Sequence, residues 1–418
     1  MSDLERYRTD HLILLVGGNP LPNYVAARLL AKQRITLIHS QGTQAVAERL
    51  KAQVESVDPD CCVTLCEVDE ARAPSIYAGV RDALKGESGR VGLHYTGGTK
   101  AMAVHAYHAV ADWACEHDKS FVASYLDARR QELVIDDQRD PVTRYIGDAL
   151  QLTLQEMLDL HGWSPKHEPR TTPLLPETAR AIARACAEDQ HIHIYQRWKE
   201  DILYACCKKN DSSEKWRSKG QLKQTLLPWP AGGSLDAVTQ SLKRELDQDG
   251  DHLDIGAAAR RLDLSEPEDF CKWLDGLWLE HYVLDELSRL SQPEAKPNPG
   301  QIFQGINVQT GQVELELDVA TLVGYQLFAF SCGTVVGKEA KSQLKLKLFE
   351  VLLRARQLGG DQARIALVSL YDDPVGLQAE ARQQIDPENQ AQIRVFGHRH
   401  LTDLAKHLED WIAAQRRA

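Results

Sequence analysis

No run of apolar residues in this chain approaches the roughly 20 needed to cross a bilayer. The opening Met1-Ser2-Asp3-Leu4-Glu5-Arg6 has no apolar signal core, so a cytoplasmic location away from membranes is expected. The nine cysteines form no CxxC pair. Adjacent ones, Cys61-Cys62 and Cys206-Cys207, make neither a metal knuckle nor a usual disulfide framework, and buried free thiols are the expectation. Positive charge is in deficit, with 49 Lys and Arg against 60 Asp and Glu and a net charge of −11. That argues against a nucleic-acid coat protein, though an enzyme with a local basic groove stays open. The usual nucleotide fingerprints are missing too. Gly17-Gly18-Asn19-Pro20 is not GxGxxG, no acid ends the second strand, and the Gly-Gly-Thr before Lys100 is too short to wrap a triphosphate. NAD and ATP are therefore poor candidates.

What is present begins as an alternation of strand and helix. Apolar strands are expected at 11–16, 34–39, 62–68 and from 91, separated by helical patterns near 23–33, 44–57 and 73–85. Phe121–Leu126 then hairpins through Asp127-Ala128-Arg129-Arg130 into Glu132–Ile135. Helical spacers of this length predict a mostly parallel sheet with right-handed crossovers, a Rossmann-like domain over residues 1–148. Within it, Val91–Tyr95 runs into Thr96-Gly97-Gly98-Thr99-Lys100 and then an Ala-rich helix. The glycines permit a tight turn and close approach of a ligand to the main chain. Thr99 can cap the helix, whose free N–H groups favour an anion, and Lys100 adds a charge. A capped helix after a glycine turn is common. Here, however, a second glycine loop, Gly17 to Asn23, follows the first strand, and ligands of open parallel sheets bind where such loops diverge. Ser40, Gln41 and Thr43, after the second strand, are polar groups for a base or ribose, or simply a solvated turn.

A strand with Gly-Gly-Asn-Pro near its end, followed later by Thr-Gly-Gly-Thr-Lys-Ala-Met, resembles the CARF (CRISPR-associated Rossmann fold) domain. More narrowly, the chain is similar to type III CRISPR ancillary nucleases that join a CARF sensor to a PD-(D/E)XK nuclease domain. The resemblance implies a homodimer binding a cyclic oligoadenylate, cyclic tetra-adenylate first, across its two-fold axis. The ligand residues would be Gly17, Gly18, Asn19, Pro20, Asn23, Gln41, Thr96, Gly97, Gly98, Thr99 and Lys100. It also implies a C-terminal nuclease, dependent on Mn2+ or Mg2+ and switched on by that ligand, cutting single-stranded RNA or DNA.

Residues 149–265 read as a helical connector broken at Pro228-Trp229-Pro230-Ala231-Gly232-Gly233. His191 and His193 would share a strand face there, a metal pair without a third ligand. From 266 to 418 a restriction-endonuclease-like α/β domain is expected: a long helix with Glu280, strands, a helix near 341–357, two further strands and a last helix. Val313–Val319 alternates, with Glu314, Glu316 and Asp318 on one face. Such a face is commonly solvated. In the nuclease pattern, though, an acid on a strand and a Glu-x-Lys ending the next strand serve phosphodiester hydrolysis. Carboxylates hold a hard cation and a lysine meets the developing charge. Asp318 and Glu280 are the candidate catalytic acids and metal ligands. Ser331 and Gly333 stand at the Glu-x-Lys positions, so both groups are missing there. Either Lys345 or Lys347 on the following helix replaces the lysine, or that helix face (Lys347, Glu350, Arg354) is a salt-bridged stripe and the site is silent. A silent site leaves a pure ligand sensor. A further alternative has the N-terminal site cutting the cyclic ligand itself.

Overall fold

A computed structural model describes residues 4–136, 141–209, 215–290, 302–310, 313–385 and 392–416. The N-terminal sheet comprises β1 (Thr9–Leu15), β2 (Ala31–His39), β3 (Cys62–Glu67), β4 (Val91–His94), β5 (Phe121–Asp127), β6 (Glu132–Ile135) and β7 (Val142–Tyr145). Their order is β3-β2-β1-β4-β5-β6-β7, parallel through β5 and antiparallel beyond. Helices α1 (Leu21–Leu30), α2 (Gln44–Val57), α3 (Ala73–Ala83) and α4 (Lys100–Glu116) make the crossovers. β2 begins earlier than its apolar run suggests, because Thr9 recruits Ala31 into the ladder, and this shortens α1. The chain reverses its order of travel at β1, leaving β2 on one side and β4 on the other. That switch point lies between the two glycine loops.

The second sheet contains β11 (Ile302–Thr310), β12 (Val313–Val323), β13 (Gln326–Gly333), β14 (Arg364–Ser369) and β15 (Ile393–Phe396), in the order β15-β14-β13-β12-β11. β11 to β13 form an antiparallel meander, and β13 to β15 run parallel. Its far edge comes from the connector: β8 (Ser164–Pro165) pairs with β11. The connector is thus not wholly helical. It also holds a small hairpin-like pair, β9 (Leu226–Pro228) with β10 (His252–Asp254). His191 and His193 fall in the helix Asp189–Trp198, where residues two apart do not share a face.

β13 is buried along its whole length because both faces of this sheet are covered. Leu327 and Ala329 join an apolar cluster continuous with Leu12 and Leu14 of β1 and with Leu344 and Leu348 of the helix Ala340–Gly359. Phe328 and Phe330 point the other way, into a core with Tyr195, Trp273, Trp278 and Trp411. Each such side chain contributes about 1.5–3 kcal/mol relative to exposure. The two α/β units therefore share a core. Their seam is pinned where Leu152 N–H donates to Gly324 O (3.0 Å) and Arg364 Nη2 to Arg129 O (3.0 Å). Gly324 turns β12 into β13 with φ +66°, and a Cβ there would lie 1.9 Å from Gly147 O. Among the described residues, no helix is long and apolar enough to cross a membrane.

Candidate functional sites

At the switch point the two glycine loops touch. A Cβ on Gly17 would sit 3.0 Å from Gly98 N, and one on Gly97 would sit 2.2 Å from Leu15 O. Gly98 has φ +75°, the left-handed region that side chains disfavour. Thr99 Oγ1 accepts from Met102 N–H (3.2 Å), so the expected cap on α4 is present. Thr96 Oγ1 accepts from Leu126 N–H (2.6 Å) and ties the loop to β5. Gly18, Gly98 and Lys100 are exposed, and so is Gln41 at the end of β2. Asn23 and Pro20 are buried beneath the loops instead. Asn23 Nδ2 donates to Leu15 O (2.8 Å) while its Oδ1, also buried, finds no protein partner. Asn19 Oδ1 accepts from Leu21 N–H (3.0 Å), starting α1. Its Nδ2 lies against Gly360, where a Cβ would meet it at 2.1 Å. The first loop thereby touches the end of the helix Ala340–Gly359.

The three acids of β12 part company. Glu314 is exposed and pairs with Lys166, Glu316 is exposed, and Asp318 is only 17 % exposed. Asp318 Oδ2 accepts from Ser331 Oγ (3.1 Å) and Cys332 N–H (2.8 Å). Lys347 Nζ stands 3.8 Å from the same oxygen and donates to Cys332 O (2.8 Å). Gly333 explains how it gets there: a Cβ at 333 would be 2.5 Å from Leu344 and 3.8 Å from Lys347 Cδ. The neighbouring helix fills the space that a side chain on β13 would need. Lys345 is turned away, its Nζ 3.3 Å from Glu380, which Lys341 also grips. Of the two candidate lysines, then, the fold brings Lys347 to Asp318 and not Lys345. Glu350 pairs with Arg354, whose Nη1 donates to Glu316 O (2.8 Å).

Glu280, on the helix Trp278–Leu290, lines a cavity together with Cys332, Gly333 and Lys347, and Gln304 Nε2 donates to it (3.3 Å). Burial first, and the Asp318 charge second, push its carboxyl up to about 8. Among the described residues no group of three His, Cys, Asp or Glu side chains is placed to hold a metal ion. Paired carboxylates nonetheless suit a hard cation, and Mg2+ is commonly held by one or two carboxylates with several waters. Asp318 and Glu280 would hold Mg2+ or Mn2+.

Protein VC1899 from Vibrio cholerae superposes with a TM-score of 0.68 at 16% identity, over 98% of this chain and 99% of that one. Can2 from Sulfobacillus thermosulfidooxidans, solved in complex with cyclic tetra-adenylate, gives 0.66 at 18% identity over 98% of both. The fold is shared. It extends end to end, two α/β units joined by helices, across a level of identity at which only the fold carries over. No protein-family model and no curated protein matches by sequence.

The cavity that holds Glu280 and Lys347 measures about 550 Å3 and has a second wall, which the sequence did not suggest. Lys199, Glu200 and Tyr204 line it from a π-helical turn, Lys199–Tyr204, and Asp275, Gly276 and Leu277 from another, Trp273–Leu277. A signal existed: Tyr195, Lys199 and Leu203 recur every fourth residue, which sets a lysine on an apolar helix face.

Proposed function

We propose that this protein is a cyclic oligoadenylate-responsive nuclease of type III CRISPR defence, cutting single-stranded nucleic acid with Mg2+ or Mn2+. The observation that carries the reading is Lys347: its ammonium reaches Asp318 and the Cys332 carbonyl through the space left open at Gly333. The lysine missing from the end of β13 thus has a substitute from the next helix. Can2, which shares the fold, was solved with cyclic tetra-adenylate, and this supports the same class of activator here.

The N-terminal loops would take the cyclic ligand between two copies of the chain, with the open main chain at Gly18 and Gly98 and the Lys100 charge against its phosphates. Asn23 acts from beneath by fixing the Leu15 carbonyl under Gly97. Beside Lys347, Ser331 and Cys332 N–H hold the Asp318 carboxylate in one orientation, and Lys347 meets the charge that builds on phosphorus. A cation held by Asp318 and Glu280 would supply charge neutralisation and a more acidic water. The ligand would act by favouring one of two arrangements of the dimer.

The deciding experiment incubates labelled single-stranded RNA and DNA with Mn2+ or Mg2+, with and without cyclic tetra-adenylate, and measures ligand binding on the same sample. Ligand-dependent cleavage, lost in Asp318→Asn, is the expected result. A second reading, a sensor whose nuclease fold is silent, is favoured by Ser331, which puts a hydroxyl where the family pattern has a metal-binding acid. Tight ligand binding without cleavage of either strand would select it.

A further inference from the structure

Lys199 is almost fully buried at 4 % exposure, yet it lines the cavity that contains Glu280 and Lys347. Its Nζ donates to the Asp275 carbonyl (2.6 Å) and to Asp275 Oδ1 (3.2 Å). Both contacts exist because the helix around Asp275 is wound as a π turn, which shifts the ladder and releases main-chain carbonyls to side-chain donors. Tyr195 OH takes the neighbouring one, Leu274 O, at 2.5 Å. Tyr204 OH donates to Asp275 Oδ1, and Lys208 Nζ lies 4.0 Å from Oδ2 and 3.7 Å from the centre of the Tyr204 ring. The Trp216 ring, in edge contact with Tyr204, lies 5.1 Å from the Lys208 Nζ.

The balance of charge is what makes this cluster more than a buried ion pair. Within the cluster one carboxylate serves two ammonium groups, while Glu200, Lys272 and Glu280 are further charged groups that line the cavity, where burying any ion is costly. An ammonium has three donors, and two of Lys199's are committed to Asp275, which leaves the third for the cavity. A cavity of about 550 Å3 falls in the range of pockets that enclose a small organic ligand. Paired π turns are frequent at functional sites because they aim groups that a regular helix would not. Cation beside aromatic, at the wall of the cavity that also holds Glu280 and Lys347, is the chemistry that holds a single strand: phosphate on the ammonium, base on the ring.

We infer that Lys199, Lys208 and Tyr204 form a nucleotide subsite beside the Asp318 centre, in which Lys199 binds the phosphate next to the one cleaved. The inference rests on the nuclease reading above and assigns the strand-holding part of that site to the connector. It accounts for a lysine buried at the cavity wall rather than replaced by an apolar residue. Lys199 is a binding and positioning residue, and Lys347 remains the lysine at the reacting phosphate.

The test uses the full chain with cyclic tetra-adenylate and EDTA, and reads anisotropy of fluorescein-labelled single-stranded RNA and DNA over a salt series. Lys199→Met is expected to weaken binding about tenfold, the worth of one charge-assisted contact. It should also flatten the plot of log affinity against log salt by about 0.7, the loss of one phosphate contact to a single strand. A purely structural lysine would leave that slope unchanged. Lys208→Met, at a less buried group, repeats the measurement should Lys199→Met fail to fold. Cleavage in Mn2+ by the same proteins should show a raised KM with kcat nearly kept. Wild-type cleavage with an unchanged slope in both variants would overturn the inference and leave the nuclease reading standing. Strand binding with the slope lowered in the variants, but no cleavage by wild type, would support the subsite and remove the catalytic reading. A wild-type chain that binds neither strand would remove both.

Discussion

At the carboxyl ends of β1 and β4 the walls are main chain, two runs of consecutive residues pressed together with hardly an atom to spare. In the C-terminal cavity the walls are drawn from the connector, the π turn Trp273–Leu277, the helix Trp278–Leu290, the end of β13 with the loop after it, and the helix Ala340–Gly359. The first arrangement tolerates no added carbon at its contact points but asks little of residue identity elsewhere. The second tolerates substitution of whole positions, because a group lost from one element can be supplied by another. Gly333 and Lys347 show how: β13 has no side chain at 333, and an ammonium reaches the Cys332 carbonyl from the next helix.

The comparison can be broken most directly at the cavity. Asp318→Asn and Lys347→Met should each lower ligand-activated cleavage by about 100-fold or more, with cyclic tetra-adenylate affinity unchanged. Loss of ligand binding in either variant, read by calorimetry, would mean that the two sites are not separate constructions. Next in size is a pair of glycines in one loop system. Gly97→Ala would place a Cβ 2.2 Å from Leu15 O and should cost about 1–3 kcal/mol in urea unfolding. Gly18→Ala meets nothing within 4 Å and should stay within about 0.5 kcal/mol of wild type. Equal effects would show that the close packing of the loops is not what defines them.

A smaller effect sharpens the cavity side. The Glu280 carboxyl, pushed up to about 8 from an ordinary value of 4.5, keeps its proton in the folded chain after the unfolded chain has released it. Stability should therefore fall as pH rises from about 4.5 to about 8. Glu280→Gln removes that slope, so its melting temperature in EDTA should gain on wild type through this window and match it near the lower end. Parallel curves would contradict the burial of this carboxyl beside Asp318. Smallest of all, Lys345→Ala loses a part-exposed ion pair with Glu380 and should change neither cleavage nor, beyond about 0.5 kcal/mol, stability. A cleavage defect there would reverse the assignment of the two lysines.

The N-terminal sheet was legible because its determinants are local: an apolar run, a glycine turn and a capping threonine stand next to each other in the chain. Even there, the sequence counted Asn23 and Pro20 among ligand contacts, whereas burial makes them supports of the loop. β7 escaped notice, since Val142–Tyr145 alternates too briefly to stand out from a turn. Asp318 was readable from its alternation on β12, but its separation from Glu314 and Glu316 depends on how deep each position lies under the helix Ala340–Gly359. Lys199 was readable only as a lysine on an apolar helix face, and its meeting with Asp275 not at all, because a π turn shifts the ladder by one residue and leaves no compositional trace. Their meeting also joins segments more than 70 residues apart.

The contact between Asn19 and Gly360 has a mechanical side. The helix Ala340–Gly359 has 20 residues and is about 30 Å long, and an α-helix loaded along its axis behaves as a strut. One end stands on the first glycine loop, and Lys347 is mounted about 20 Å along it. Its inner edge (Leu344, Leu348, Val351, Ala355, Leu358) is bedded in the shared core, so sliding is constrained and tilting is not free. Loop and lysine are thus carried on a single stiff member. Bringing the Lys347 ammonium from 3.8 Å to a direct contact with Asp318 takes a movement of about 0.6–1 Å.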